Sequence, residues 1–172
     1  AQSADAARMS AARCIDVGAI APQRWKNGAG LTREIALGPA GSGLDDFGWR
    51  LSVAELERDA PFSAFPGIDR CIVVIDGAGM ALHDAAGAPV RTLAPLQPWA
   101  FEGERALHAR LTHGACRDFN VMTRRGAWRA ELRVLREPAP LARGDVTALL
   151  VVQGRWRLGG ERCEALQGLL LD

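Results

Sequence analysis

Lysine is nearly missing from this chain, with Lys26 the only one among 172 residues. The 21 basic residues are therefore almost all arginine. Arginine suits planar, bidentate recognition of carboxylates, although GC-rich coding favours it with no function behind it. An excess of either charge is also missing. Twenty acidic residues leave a formal charge of +1, which gives no basic footprint for nucleic acid. Apolar runs such as Ile72 to Ile75 and Leu149 to Val152 are strand-sized, far below the ~20 residues of a membrane helix. No basic segment followed by an apolar stretch opens the chain, so no signal peptide is expected. Cys14, Cys71, Cys116 and Cys163 are scattered without C-x-x-C spacing. That argues against a disulfide framework and a zinc site. It fits small buried hydrophobes in a reducing cytoplasm.

Glycine and proline, by contrast, are plentiful: nineteen and nine punctuate short apolar segments, the rhythm of a barrel or sandwich. Leu31 to Leu37 predicts a strand with Leu31, Ile35 and Leu37 on one face and Thr32, Glu34 and Ala36 on the other. Trp49, Leu51 and Val53 alternate with Arg50 and Ser52. Cys71 to Ile75 reads as a strand buried on both faces. Asp76-Gly77 is a turn signal, after which Met80 to His83 is expected to return as the partner strand. Asp84 to Gly87 is a further turn, and strands are expected at Trp99 to Phe101, Leu107 to Leu111 and Phe119 to Thr123. Only the Ala-rich segment Asp5 to Cys14 has helical character.

Val73-Val74-Ile75-Asp76-Gly77 with its following strand is echoed by Leu150-Val151-Val152-Gln153-Gly154 and its own. Two occurrences indicate duplication of a β-unit rather than a solenoid. The order of strands, glycine turns and a proline plateau is similar to a cupin half-barrel. The expected fold is all-β, a cupin-type double-stranded β-barrel of two related halves, a bicupin. The halves are expected at residues 1–130 and 131–172, the shorter second half packed on the first or completed by N-terminal strands.

Metal-dependent cupins use an H-x-H pair, because residues two apart on a strand share a face. Here His83, His108 and His113 contain no such pair, and Phe101-Glu102-Gly103-Glu104 stands where histidine is expected, so no metal is assigned. There is no G-x-S-x-G elbow, no P-loop and no G-x-G-x-x-G after a strand. No catalytic residue and no cofactor is therefore assigned.

What remains is a set of polar residues. Trp25 to Gly30 is a glycine-rich loop able to offer backbone N–H groups to an anion, or simply a turn. Thr32, Glu34, Arg50 and Ser52 form polar rows on two strands, the wet side of a sheet or a pocket floor. Phe62 to Arg70 is an aromatic loop entering the buried strand, and Asp118, Asn120 and Met122 share a face. Apolar walls with a few polar groups describe a small-ligand site.

Trp25-Lys26-Asn27-Gly28-Ala29-Gly30-Leu31-Thr32-Arg33-Glu34-Ile35 resembles the signature W-K-N-G-G-G-x-T-R-E-I of the HutD (also called Ves) family. Further resemblance lies in Trp49 to Ser52, Pro61 to Ser63 and Phe65 to Arg70. Phe101 to Glu104, Asp118 to Met122 and Arg124 to Gly126 complete it. Ala29 departs from the family glycine and is expected to restrict the loop. The resemblance implies a metal-free bicupin, linked to histidine utilisation, that binds urocanate or N-formylglutamate and restrains the pathway. On the resemblance and the polar rows, the ligand-binding candidates are Asn27, Thr32, Glu34, Arg50, Ser52, Asp69, Arg70, Glu102, Asp118 and Asn120. Arg50 and Arg70 are the expected anion anchors, and Thr32, Ser52 and Asn120 the donors. Glu34, Glu102 and Asp118 would orient them or accept a ligand N–H. The expected partner is a small carboxylate metabolite, with no nucleic acid or membrane, and a homodimer is compatible. Two other readings stay open: a metal-independent isomerase or hydrolase using Glu34 and Asp118, and an interaction protein with a vestigial pocket.

Overall fold

The computed structural model describes residues 12–142, 144–158 and 160–171. In chain order the strands are β1 (Arg13–Asp16), β2 (Gln23–Arg24), β3 (Gly30–Gly38), β4 (Trp49–Leu56) and β5 (Ala60–Pro61). Next come β6 (Ile68–Asp76), β7 (Met80–His83), β8 (Pro89–Leu93), β9 (Trp99–Glu102) and β10 (His108–Leu111). The last are β11 (Cys116–Arg124), β12 (Thr147–Leu150), β13 (Arg155–Leu158), β14 (Glu161–Glu164) and β15 (Gln167–Leu171). Val17–Ala19 forms a single 3-10 turn, and no α-helix occurs among the described residues. No helix there is long and apolar enough to cross a membrane. Of the Ala-rich segment, residues 5–11 lie outside the described residues, and Cys14 sits in β1.

The chain divides into two compact units: Ile20–Arg136, and the two chain ends, up to Ala19 and from Glu137 onward. The central unit has a six-stranded sheet, β2-β3-β4-β11-β6-β9, and a four-stranded sheet, β5-β10-β7-β8. Both sheets are open. Among the described residues the closed barrel expected from the turn rhythm is absent, because β2 and β9 are edges of one sheet, and β5 and β8 of the other. The main core lies between the sheets. Leu56, Ile72 and Val74 from one side meet Met80, Leu82 and Ala109 from the other, all buried.

Met80 to His83 does not pair back onto Cys71 to Ile75 as expected. Both edges of β6 are already taken, by β11 and β9. The turn at Gly77 therefore carries the chain across to the second sheet, where β7 pairs with β8 and β10. Gly77 has φ 91°, and a Cβ there would lie 2.6 Å from the Ala115 carbonyl oxygen. Only glycine fits both conditions. The next turn is tied by the Asp84 side chain, whose Oδ1 accepts from the N–H groups of Ala86 and Ala88 at 2.9 Å each.

The unit of the chain ends contains the sheets β1-β15-β12 and β13-β14. The N-terminal strand β1 pairs with β15, Arg13 opposite Leu170 through Asp16 opposite Gln167. Its buried side chains are apolar: Ile15, Val17, Val151, Cys163, Leu169 and Leu170. All four cysteines are free thiols, with Cys116 and Cys163 buried, Cys71 half-buried and Cys14 exposed. The expectation of four buried cysteines thus fails at Cys14, whose side chain falls on the solvent side of β1.

Candidate functional site

The inner face of the six-stranded sheet carries three successive cross-strand rows. The first runs Leu37, Arg50, Met122, Arg70, Phe101. The second runs Glu34, Ser52, Asn120, Ile72, Trp99, and the third Thr32, Ala54, Asp118, Val74. Residues directly opposite share a face, so Thr32, Glu34, Arg50, Ser52, Arg70, Asp118 and Asn120 all point the same way. This face is not a wet one. Arg50 and Arg70 are each 7% exposed, and Ser52, Asp118 and Asn120 are buried as well. A register shift in β3 between Glu34 and Ala36 corrects the simple alternation expected there. Such a bulge moves the following residues to the other face, so Leu37 joins Arg50 while Ala36 opposes Leu51.

Asp69 and Glu102 are placed elsewhere. They oppose each other on β6 and β9, one residue out of step with Arg70 and Phe101, and so belong to the reverse face. Asp69 accepts from Arg125 Nε at 2.7 Å, and the same guanidinium holds Glu104 at 2.7 Å. Arg125 keeps the exposed Glu104 carboxyl down at about 2.

A cavity of about 700 Å³ opens beside these rows. Its wall includes Asn27, Thr32 and Arg50 from the sequence-derived set, and also Lys26, Phe65 and Arg124. Trp25 donates its indole N–H to Thr32 Oγ1 at 2.8 Å, fixing the loop against β3. Three of the loop's N–H groups are used within the loop itself. Trp25 donates to the Gly30 carbonyl, Gly28 to the Trp25 carbonyl, and Ala29 to Asn27 Oδ1. The positive φ falls on Gly28, at 66°, and not on Ala29, so alanine at 29 does not restrict the loop. Arg124 donates from Nε to the Phe47 carbonyl at 3.0 Å, and its guanidinium lies 5.9 Å from the Phe47 ring. Lys26 and Arg124 were not among the sequence candidates. Both stand inside the quoted motifs, but spacing alone does not place a loop lysine and the last residue of β11 at one cavity.

Charge in this site is unevenly balanced. Arg50 donates from Nε to Glu34 Oε2 at 2.8 Å, and its side chain makes no other hydrogen bond among the described residues. Arg70 has no carboxylate within ion-pair range there. It donates from Nη1 to the Ser63 carbonyl at 3.2 Å, and its Nε is buried without a partner. Burial, with Arg50 nearby, pushes the Arg70 guanidinium down to about 10, partly opposed by Asp118. Asp118 lies between Ala54 and Val74 across the sheet. Burial among these apolar neighbours raises its carboxyl to about 7, against the pull of Arg70. Asn120 Oδ1 is also buried and unpartnered.

A further pair of residues that chemistry could use lies on the other sheet. His83 and His108 are direct cross-strand partners on β7 and β10, which sequence spacing did not reveal. No group of three or more His, Cys, Asp or Glu side chains suited to a metal ion occurs among the described residues.

The HutD family model matches residues 18–171. An uncharacterized 21.2 kDa protein in the hutC 3′ region of Pseudomonas putida is 43% identical over 126 residues. That match covers 73% of this chain and 65% of the relative, so the chain spans less than two thirds of that relative's length. Protein Ves of Cronobacter sakazakii is 37% identical over 155 residues, 90% of this chain and 83% of Ves. The solved structure of HutD from Pseudomonas fluorescens SBW25 superposes with a TM-score of 0.78 at 33% identity, covering 94% of this chain and 88% of that one. The all-β fold is shared with the solved HutD structure, and proteins of the HutD family are associated with histidine utilisation. Matched over nearly its whole length, the chain belongs to the HutD family.

Proposed function

We propose that this protein binds a small carboxylate metabolite in the cavity beside Arg50 and acts as a metal-free sensor that restrains histidine utilisation. Urocanate and N-formylglutamate are the ligands to test first. The observation that carries this reading is the charge imbalance of the buried face. Two arginines lie on one row, and Glu34 is the single carboxylate hydrogen-bonded to either among the described residues. A buried cation without a counter-ion is costly, and a bound carboxylate removes that cost through charge-assisted hydrogen bonds. Arg50 would take the ligand at the cavity wall, while Thr32 and Asn27 line the approach. The strand, glycine turn, strand order of β6, Gly77 and β7 recurs as β12, Gly154 and β13, which supports a bicupin ancestry of two related halves.

A metal-independent isomerase or hydrolase is the second reading, favoured by the Asp118 carboxyl poised near neutrality. Glu34, however, lies two strands away, about 9.6 Å across the sheet by ordinary strand spacing, and is held by Arg50. That separation favours binding over acid–base chemistry shared between the two. The test is a thermal melt with urocanate, N-formylglutamate, histidine and glutamate, each with and without a chelator. At about a hundred times Kd the ligand should add roughly 2.7 kcal/mol of stability. A selective, chelator-independent rise supports the proposal. No rise with any of the four overturns the ligand assignment, and a rise lost with chelator overturns the metal-free reading.

A further inference from the structure

Among the buried or half-buried arginines of the central unit, only Arg70 and Arg124 lack an acidic partner among the described residues, and Arg124 spends its N–H groups on the Phe47 and Asp45 carbonyls. Arg33 and Arg117 share Glu55, and Arg50 has Glu34. Arg70 instead has rings. Its guanidinium carbon lies 5.3 Å from the Phe62 centroid, 5.4 Å from Phe65 and 4.9 Å from Phe101. Phe101 is itself braced, stacked on Trp99 at 4.6 Å with 14° between the planes. The ring faces offer negative potential to a cation while taking none of its N–H groups. Of the five N–H donors of this side chain, one bonds the Ser63 carbonyl, and Nε is left buried and unused. Ser63 and Phe65 also form part of the cavity wall, so Arg70 lies one layer behind the cavity that Arg50 lines.

We propose that Phe62, Phe65 and Phe101 are positioning residues that hold Arg70 in place of a carboxylate, reserving its free N–H groups for a planar carboxylate ligand. This rests on the carboxylate-binding reading above and adds an inner anchor to it. An arginine already paired to an acid must surrender that pair before it can bind a substrate anion. An arginine held by aromatic faces gives up nothing, and its fork stays oriented. Phe65 joins the two tiers, touching Arg70 on one side and the cavity on the other.

The experiment is ¹⁵N NMR of the arginine Nε–H signals, with acetate as the probe. The signals of Arg50 and Arg70 are assigned by Arg→Lys substitution at each position. The rings should give the Arg70 signal an upfield ring-current shift, and acetate should move both signals. Phe62→Leu should weaken the acetate response of Arg70 about threefold to tenfold, the range expected for one ring facing a cation. Phe62→Tyr should restore it, which a merely structural role would not require. Phe62 is only partly buried, and Phe65→Leu repeats the test should the first variant unfold. If acetate moves Arg50 but leaves Arg70 unmoved, the inner anchor is overturned while the carboxylate-binding reading survives. If Phe62→Leu and Phe65→Leu bind acetate as the wild type does, the positioning role is overturned. If acetate moves neither arginine, both proposals fall together.

Discussion

Replacing Asp118 by Asn should flatten the dependence of stability on pH between about pH 5 and about pH 7.5. In the folded protein this carboxyl is raised from an ordinary 3.8 to about 7, because it is buried between Ala54 and Val74. A raised acid pKa means the native state holds a proton that the unfolded chain has already released. Its contribution to stability is therefore fully present below pH 3.8, declines as pH rises through the interval, and is lost above about 7. The whole interval of about three units corresponds to about 4 kcal/mol, and the part between about pH 5 and about pH 7.5 to about 2.5 kcal/mol. Glu55 and Glu104 are shifted in the opposite direction, held down by Arg33 with Arg117 and by Arg125 respectively. Their contributions change below about pH 4.5, outside this window. Burial raises the thiols of Cys71, Cys116 and Cys163, so they titrate above it. Urea unfolding of wild type and Asp118→Asn at half-unit pH steps isolates the effect. The two curves should diverge with rising pH, the variant becoming relatively more stable. Parallel curves would refute the reasoning, because they would mean Asp118 ionises in the folded protein much as it does in water.

Carboxylate affinity should also fall as pH rises through about 7, since ionised Asp118 puts a negative charge beside Arg70; a titration at about pH 6 and about pH 8 measures it. Arg50→Ala should abolish ligand binding while the protein stays folded, and unchanged affinity would remove Arg50 from the site. Arg125→Ala breaks the link to Asp69 and Glu104 on the reverse face, so it should leave binding unchanged while the Glu104 carboxyl titrates closer to its ordinary range. Gly168→Ala should unfold the chain-end unit, because a Cβ there would lie 1.8 Å from the Leu149 carbonyl oxygen; loss of its strand signal by circular dichroism is the readout.

Much of the fold was legible because strand pattern is local. Arg50 and Ser52 on one face of β4, with Trp49, Leu51 and Val53 on the other, follow from a period of two. What escaped was pairing. Nothing local in Asp76-Gly77 says whether the next strand pairs with β6 or crosses, since β11 and β9, which occupy its edges, come from distant sequence. The bulge after Glu34 is invisible for the same reason, as it exists only relative to β4. Neither sheet closed into the barrel that the turn rhythm indicated, because closure depends on the edge partners of β2 and β9.

The site was legible in kind and not in depth. Arg50, Arg70 and Asp118 share a face as alternation requires, and one-residue parity sends Asp69 to the other side of β6. The motif placed Asp69 next to Arg70 in sequence, but the pleat separates them. That Arg70 is held by aromatic rings was not legible, since Phe62, Phe65 and Phe101 converge only after β6 and β9 have paired.

The most direct test of the central claim is a calorimetric titration of wild type and Arg50→Ala with N-formylglutamate and with urocanate, each with chelator present. Saturable binding of one of them to wild type, absent from Arg50→Ala, is the predicted result. Equal heats for both proteins, or none for either, would contradict a carboxylate site built on Arg50.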